Sequence, residues 1–228
     1  MVVERSELVA VLPALDCAGT ITEVVRGLAG HVGRVVVVSD GSRDATASLA
    51  RQAGAEVEEL AENRGKGYAL RRGIEIALRS APRAIALVDA DGQHDPADLP
   101  ALIGSWRDEG WDLVIGCRLA SPELIPPVRY WTNYIGSRIL SWFTGRELED
   151  SQSGFRLLDG ALAASLHLRS DGYAIETEML IKAAARGARI GHVRVSTIYN
   201  GAGSHFRPLL DTVRISCAAI YFKVFDEY

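Results

Sequence analysis

The chain of 228 residues has only three cysteines, Cys17, Cys117 and Cys217, and no two of them form a C-x-x-C pair. An odd, widely spaced set argues against a disulfide framework or a zinc site and predicts reduced thiols in a cytoplasmic protein. No apolar run approaches the roughly 18 residues of a membrane span. The start, Met1-Val2-Val3-Glu4-Arg5-Ser6-Glu7, is too charged for a cleaved leader. Excess positive charge is also missing: the formal net charge is −4, so nothing attracts nucleic acid in general and any anion site must be local. No G-x-G-x-x-G follows the first apolar run, which disfavours a dinucleotide oxidoreductase, and Gly65-Lys66-Gly67 lacks the spacing of a phosphate loop. The first turn has neither the glycines nor the basic residues with which a sugar nucleotidyltransferase would grasp a triphosphate. No internal repeat or low-complexity linker divides the chain.

What is present is 48% hydrophobic and 24% charged, enough to build a large core and better suited to one α/β domain than to two small ones. Leu8 to Pro13, Val35 to Val38 and Ala84 to Val88 read as buried strands, Asp112 to Gly116 as another, and Ile190 to Ile198 as the last. Ala55 to Leu60 is more polar and reads as a strand near an edge. Between them fall helices over Thr20–Leu28, from Lys66 to about Ser80, from Asp98 to Glu109, near Gly160–Leu168, and from about Ile175 until Gly187. This alternation predicts a mainly parallel central sheet flanked by helices.

The chemistry concentrates at Asp89-Ala90-Asp91-Gly92-Gln93-His94-Asp95-Pro96, directly after a buried strand. Side chains two apart on an extended chain face the same way, so Asp89 and Asp91 converge, and Gly92 permits a tight turn behind them. Carboxylate oxygens suit a hard cation, Mg²⁺ or Mn²⁺, which in turn holds substrate phosphates. The competing reading is a polar turn in which Asp95 and Pro96 merely start a helix. Asp40 stands in a similar place at the end of the Val35–Val38 strand, where open α/β sheets bind ligands.

Pro122, Pro126 and Pro127 mark a loop after Cys117, and Val128 to Phe143 reads as a helix. Its Trp131, Ile135, Ile139 and Trp142 fall near one face and are expected in the core. Arg118, Arg129 and Arg138 suit phosphate recognition if they surround a cleft. Asp150, opening Asp150-Ser151-Gln152-Ser153-Gly154-Phe155-Arg156, is a candidate general base, and Gly154 lets the backbone approach a ligand closely. Glu176 and Glu178 need no chemistry, because acidic residues favour a helix N-terminus. A closing helix is expected from Leu209.

Taken in order, these motifs resemble the family 2 glycosyltransferases of the GT-A fold, in the branch of dolichol-phosphate mannosyltransferases and polyprenyl-phosphate glycosyltransferases. The resemblance rests on Leu12-Pro13-Ala14-Leu15-Asp16, Ser39-Asp40-Gly41-Ser42-Arg43-Asp44-Ala45-Thr46, Asn63-Arg64-Gly65-Lys66-Gly67, the Asp89–Pro96 segment, Gly116-Cys117-Arg118, Asp150 to Arg156, and Ser204 to Thr212. It implies one GT-A domain over residues 1–228, with a nucleotide-sugar half at 1–116 and an acceptor half plus C-terminal helix at 117–228. It implies a nucleoside-diphosphate sugar, of GDP-mannose or UDP-glucose type, lying against Pro13, Ala14, Asp16, Asp40, Lys66, Asp89 and Ala90. Asp89, Asp91 and Gln93 would gather a divalent metal, and Arg207 and His205 would close over the diphosphate. The implied reaction is an inverting hexosyl transfer to a polyprenyl or dolichyl phosphate, whose charge Arg118 and Arg129 would place, with Ser137 and Arg138 behind them. The chain departs from the family pattern where Leu15, Asp16, Cys17 and Ala18 replace an aromatic residue, Asn and Glu. Two alternatives stand beside this reading: transfer to a sugar hydroxyl with Asp150 as base, and a nucleotide-sugar-binding module without catalysis. Such a lipid-phosphate enzyme would be cytoplasmic and peripheral on the inner face of the membrane.

Overall fold

Leu8 to Ala14 is buried at all seven positions, which places this strand, β1, in the middle of a sheet covered on both faces. The computed structural model describes residues 3–119, 125–196 and 198. Within them β1 is joined by β2 (Arg34–Asp40), β3 (Glu56–Leu60), β4 (Ala84–Leu87), β5 (Leu113–Cys117), β6 (Arg156–Asp159) and β7 (Ile190–Arg194). The sheet order is β3-β2-β1-β4-β6-β5-β7. Polar β3 lies at one edge, as its composition predicts. All pairings are parallel except those of β6, which runs antiparallel between β4 and β5.

Alternation along β1 divides the core. Leu8, Ala10, Leu12 and Ala14 face α1 (Ile21–Ala29), α2 (Thr46–Gln52) and α4 (Leu99–Glu109). Val9 and Val11 face the layer made by α3 (Lys66–Leu78), α5 (Pro127–Thr144), α6 (Gly160–Ser165) and α7 (Ala174–Ala185). In α1 the apolar residues recur as Ile21, Val24, Val25 and Leu28, one stripe at helical spacing, and all are buried. Helix α3 comes so close to β1 that a Cβ on Gly73 would lie 2.3 Å from Val11 Cγ1.

From β1 the chain builds outward through β2 to β3, then returns to place β4 on the other side of β1. The carboxyl ends of β1 and β4 therefore flank a topological switch point. Asp40 ends β2, and Asp89 lies just beyond β4. Because β6 is antiparallel and pairs Arg156 with Leu87, the chain entering β6 arrives at this same end of the sheet.

Three expectations change. Trp131, Ile135, Ile139 and Trp142 do share one face of α5, but that face is exposed instead of joining the core. The helix after Gly160 stops at Ser165 and the last strand at Arg194. The closing helix from Leu209 lies outside the described residues. Among those residues no helix is long and apolar enough to cross a membrane.

Gly73→Val adds bulk at a helix-to-strand contact that has no room for it. The expected cost is about 1–3 kcal/mol, from the overpacking itself, read as a lower urea midpoint at unchanged slope.

Candidate active site

The two turns that follow β1 and β2 are stitched together by their own polar side chains. Asp16, in a left-handed conformation at φ 50°, accepts from the Arg43 amide at 2.8 Å, and its own amide donates to Ser42 Oγ at 3.2 Å. The Cys17 amide donates to Thr46 Oγ1 at 2.7 Å, and the Ala18 amide to Asp44 Oδ2 at 3.0 Å. Buried Asp40 accepts from the amides of Arg64 and Gly65 at 2.7 and 2.9 Å, tying the start of α3 to the end of β2. Asp16 and Asp40, expected against the nucleoside, thus hold the turns that Pro13 and Ala14 lead into. Burial, with Asp91 nearby, pushes the Cys17 thiol up to about 11, so it stays protonated.

At the first residue of α3 stands Lys66, whose Nζ lies 2.7 Å from Asp89 Oδ1 and 2.6 Å from Glu176 Oε1. Its flanking glycines explain how it gets there. A Cβ on Gly65 would meet Asp171 O at 2.4 Å and one on Gly67 would meet Ser170 O at 2.4 Å, so only glycines allow α3 to seat on the loop before α7. The Gly67 amide donates to Asp171 O at 2.7 Å, fixing that contact. Although burial opposes it, the charges of Asp89 and Glu176 raise the Lys66 pKa and keep it protonated. Burial likewise opposes ionisation of Asp89, but the charge and hydrogen bond of Lys66 prevail and lower its pKa.

Asp91 behaves oppositely: burial, then the charge of Asp89, raises its pKa. The repulsion places the two carboxylates in one electrostatic environment. Asp91 Oδ1 accepts from the Gln93 amide at 3.0 Å, and Ala90 between the acids is buried with its carbonyl bonded to Thr20 Oγ1 at 2.6 Å. Gly154 is the residue that makes room. A Cβ there would sit 2.1 Å from Asp89 Oδ2, so the close approach expected of this glycine is made by Asp89.

Behind the acidic pair lies a second ion pair. Asp150, fully buried, takes a two-pronged bond from Arg118, Nε to Oδ2 at 2.9 Å and Nη2 to Oδ1 at 3.1 Å, and also accepts from the Arg118 amide at 3.2 Å. Burial alone would raise the Asp150 pKa, but Arg118's charge and hydrogen bonds lower it. A carboxylate held this way is a weak base. Buried Arg156 donates to the carbonyls of Ser153, Glu176 and Ser151 at 2.9, 2.9 and 2.7 Å, joining the Asp150–Phe155 loop to the first turn of α7. His94 is buried against Phe155, ring centroids 5.3 Å apart, and burial, with Arg118's charge, brings its pKa down to about 4.

Asp89, Asp91, Lys66, Arg118 and Asp150 therefore gather at one end of the sheet. Ser137 does not face outward: it is buried, and its hydroxyl links α5 to the amide and hydroxyl of Ser151 at 2.9 and 3.0 Å. Arg138 beside it is exposed. The Arg129 side chain, Arg207 and His205 lie outside the described residues. Sequence reasoning missed Glu176, the second anion on Lys66, and Glu178, which accepts from the amides of Arg169 and Ser170 and pairs with Lys182. Both are far more than helix-start acids.

Among the described residues no group of three or more His, Cys, Asp and Glu forms a closed metal cage. The donor set nevertheless fits a hard cation of the Mg²⁺ or Mn²⁺ kind. Such ions take one or two carboxylates and fill their remaining positions with water and substrate phosphate, and Asp89 and Asp91 are two oxygen donors whose mutual repulsion a cation would relieve.

The seven-stranded, mostly parallel sheet is that of the GT-A fold, which the solved glycosyltransferase structures share. The chain belongs to glycosyl transferase family 2, whose profile matches residues 9–162. Its similar proteins include the glycosyltransferase AglJ of Haloferax volcanii, 32% identical over 87% of this chain and 66% of that protein. A dolichyl-phosphate beta-glucosyltransferase of Drosophila melanogaster is 34% identical over 74% of this chain and 57% of that protein. A UDP-N-acetylglucosamine–dolichyl-phosphate N-acetylglucosaminyltransferase of Methanococcus voltae is 28% identical over 83% of this chain and 84% of that protein. Among solved structures, glucosyl-3-phosphoglycerate synthase from Mycobacterium tuberculosis, in complex with Mn²⁺, UDP-glucose and phosphoglyceric acid, superposes with a TM-score of 0.75 at 22% identity. That match covers 98% of this chain and 81% of the synthase.

Because the folded pKa of Asp150 lies below its unfolded value, the stabilisation it gives is complete above about pH 4 and is lost as pH falls through the folded value. Asp150→Asn should cost about 3 kcal/mol at neutral pH, by leaving Arg118 without its anion, and the gap to the wild type should narrow on acidification. Urea midpoints across the acid range check this.

Proposed function

We propose that the protein transfers a hexose from a nucleoside-diphosphate sugar of UDP-glucose or GDP-mannose type to a polyprenyl or dolichyl phosphate, with inversion at the anomeric carbon. The observation that carries the acceptor class is the Asp150–Arg118 pair. A sugar hydroxyl would need a carboxylate to take its proton, and the carboxylate in that position is neutralised and weakly basic. A phosphate monoester is ionised near neutral pH and attacks without such a base. It needs cationic placement instead, a role this reading gives to Arg118 together with Arg129 and Arg138. Two of the related proteins are named for dolichyl-phosphate acceptors, which supports the same reading.

On the donor side, Pro13, Ala14 and the turns held by Asp16 and Asp40 would receive the nucleoside. A divalent cation bound by Asp89 and Asp91, with Gln93 beside them, would act as a Lewis acid that stabilises negative charge developing on the departing diphosphate. The chain's own contribution is to hold Asp89 ionised through Lys66 and to keep Lys66 in place through Glu176. An acceptor oxygen forms its bond to the anomeric carbon from the face opposite the diphosphate. The bonding pair of the broken C–O bond leaves with the nucleoside diphosphate, and in-line displacement inverts the centre.

Thermal shifts with a panel of UDP- and GDP-sugars, with and without Mn²⁺, test the donor half. A donor at about a hundred times its dissociation constant should add roughly 2.7 kcal/mol. The shift should need Mn²⁺, fall on one nucleotide, and vanish in Asp91→Asn and in Gly154→Ala, where the added methyl displaces the Asp89 carboxylate. No shift with any donor in folded wild-type protein would overturn the donor site.

A further inference from the structure

Helix α5 is built inside out. Towards the protein it presents Asn133 and Ser137, both buried, with Leu140. On the opposite side, at spacings of three and four residues, stand Val128, Trp131, Ile135, Ile139 and Trp142, at 71, 57, 53, 42 and 76% exposure. At 100° per residue the five fall within an arc of about 80°, so they form one stripe, not scattered surface residues. Single exposed apolar residues are ordinary, but a continuous apolar stripe with two tryptophans marks a surface that meets something apolar.

Charge narrows the choice. Within α5 itself, Pro127–Thr144, there is no Asp or Glu, whereas Arg129 and Arg138 are present in a chain whose net charge is −4; Glu123, Glu147 and Glu149 lie outside the helix. Tyr134, next to the stripe, is 41% exposed, and its ring packs edge-on to Trp131 at 5.9 Å. Tryptophan and tyrosine bodies, an aliphatic stripe and arginines without acids are the composition of a helix that lies in a lipid headgroup layer. Another protein surface would not call for locally cationic charge on an acidic chain, and a second copy of this chain would bring the same arginines against these.

We infer that the exposed face of α5 docks the protein on an anionic lipid bilayer. The buried face of the same helix is bonded through Ser137 to Ser151, the residue after Asp150, so a helix lying in the headgroup layer would bring the Arg118–Asp150 pair to the lipid boundary. The inference deepens the lipid-phosphate reading above and rests on it for the purpose of docking, while its own observation is the helix face.

The experiment is flotation of the full chain with phosphatidylcholine vesicles, with and without about a third phosphatidylglycerol. The apolar area removed in Trp131→Ser/Ile135→Ser should weaken binding by at least about tenfold. Wild-type protein should float with the anionic vesicles, float less as salt is raised, and stay behind with neutral ones. Brominated lipid should quench fluorescence in the wild type and quench it much less in Trp131→Phe/Trp142→Phe, which leaves Trp106 and Trp111 as reporters. Failure of folded wild-type protein to float overturns the inference, as does a dimer that the serine variant converts to monomer. So does a serine variant that melts well below the wild type without lipid, which would mean that the stripe is covered within the protein itself. These outcomes leave the transferase reading untouched if detergent-solubilised polyprenyl phosphate is still glycosylated. Flotation without transfer would sink that reading instead.

Discussion

The site depends on one lysine shared by two carboxylates. Lys66 enters from α3, Asp89 from the end of β4 and Glu176 from α7, three elements separated along the chain and brought together at one end of the sheet. An isolated charge of this kind is costly to withdraw from water, and removing a partner from such a cluster costs about 3–5 kcal/mol because the remaining charge is left uncompensated. The glycines at 65, 67 and 154 follow from that constraint. Two of them let α3 press against the 170–172 loop and the third leaves space for the Asp89 carboxylate. Arg156 adds the other brace, binding carbonyls on both the 150s loop and α7.

From this arrangement the division of labour among the acids follows. Asp89 is held ionised by Lys66, Asp91 is pushed towards protonation by burial and by Asp89, and Asp150 is neutralised by Arg118. Of these three carboxylates two are held ionised by a basic partner and one is pushed towards protonation. Asp91 is the acid with most to gain from a cation, and Asp89 and Asp150 are the two held ionised. A chemistry that needs cation stabilisation and no strong base is the one these environments favour.

Much of the sheet was legible in the sequence because central parallel strands are buried on both faces and appear as uninterrupted apolar runs, as in Leu8–Leu12 and Val35–Val38. The acidic pair was legible because its two members are local, two residues apart after a strand. Glu176 was not, because its partner is 110 residues away and acidic residues at a helix start have an ordinary electrostatic reason to be there. The role of Lys66 was hidden for the same reason. The α5 stripe shows a different limit: periodicity identifies a shared face but does not say what lies opposite it, and here the polar side turned inward. The arginine partner of Asp150 was not legible, because nothing local announces a residue 32 positions earlier.

On the proposed reading an acceptor phosphate, not a hydroxyl, attacks the sugar at a site whose nearby carboxylate is spent on Arg118. The most direct measurement is transfer from a radiolabelled nucleotide sugar to two acceptors of identical chain, a polyprenyl phosphate and the corresponding polyprenol, at equal concentration in the same detergent. A labelled lipid product is expected with the phosphate and none with the alcohol. Comparable transfer to the alcohol would contradict it and return Asp150, or another base, to the centre of the reaction.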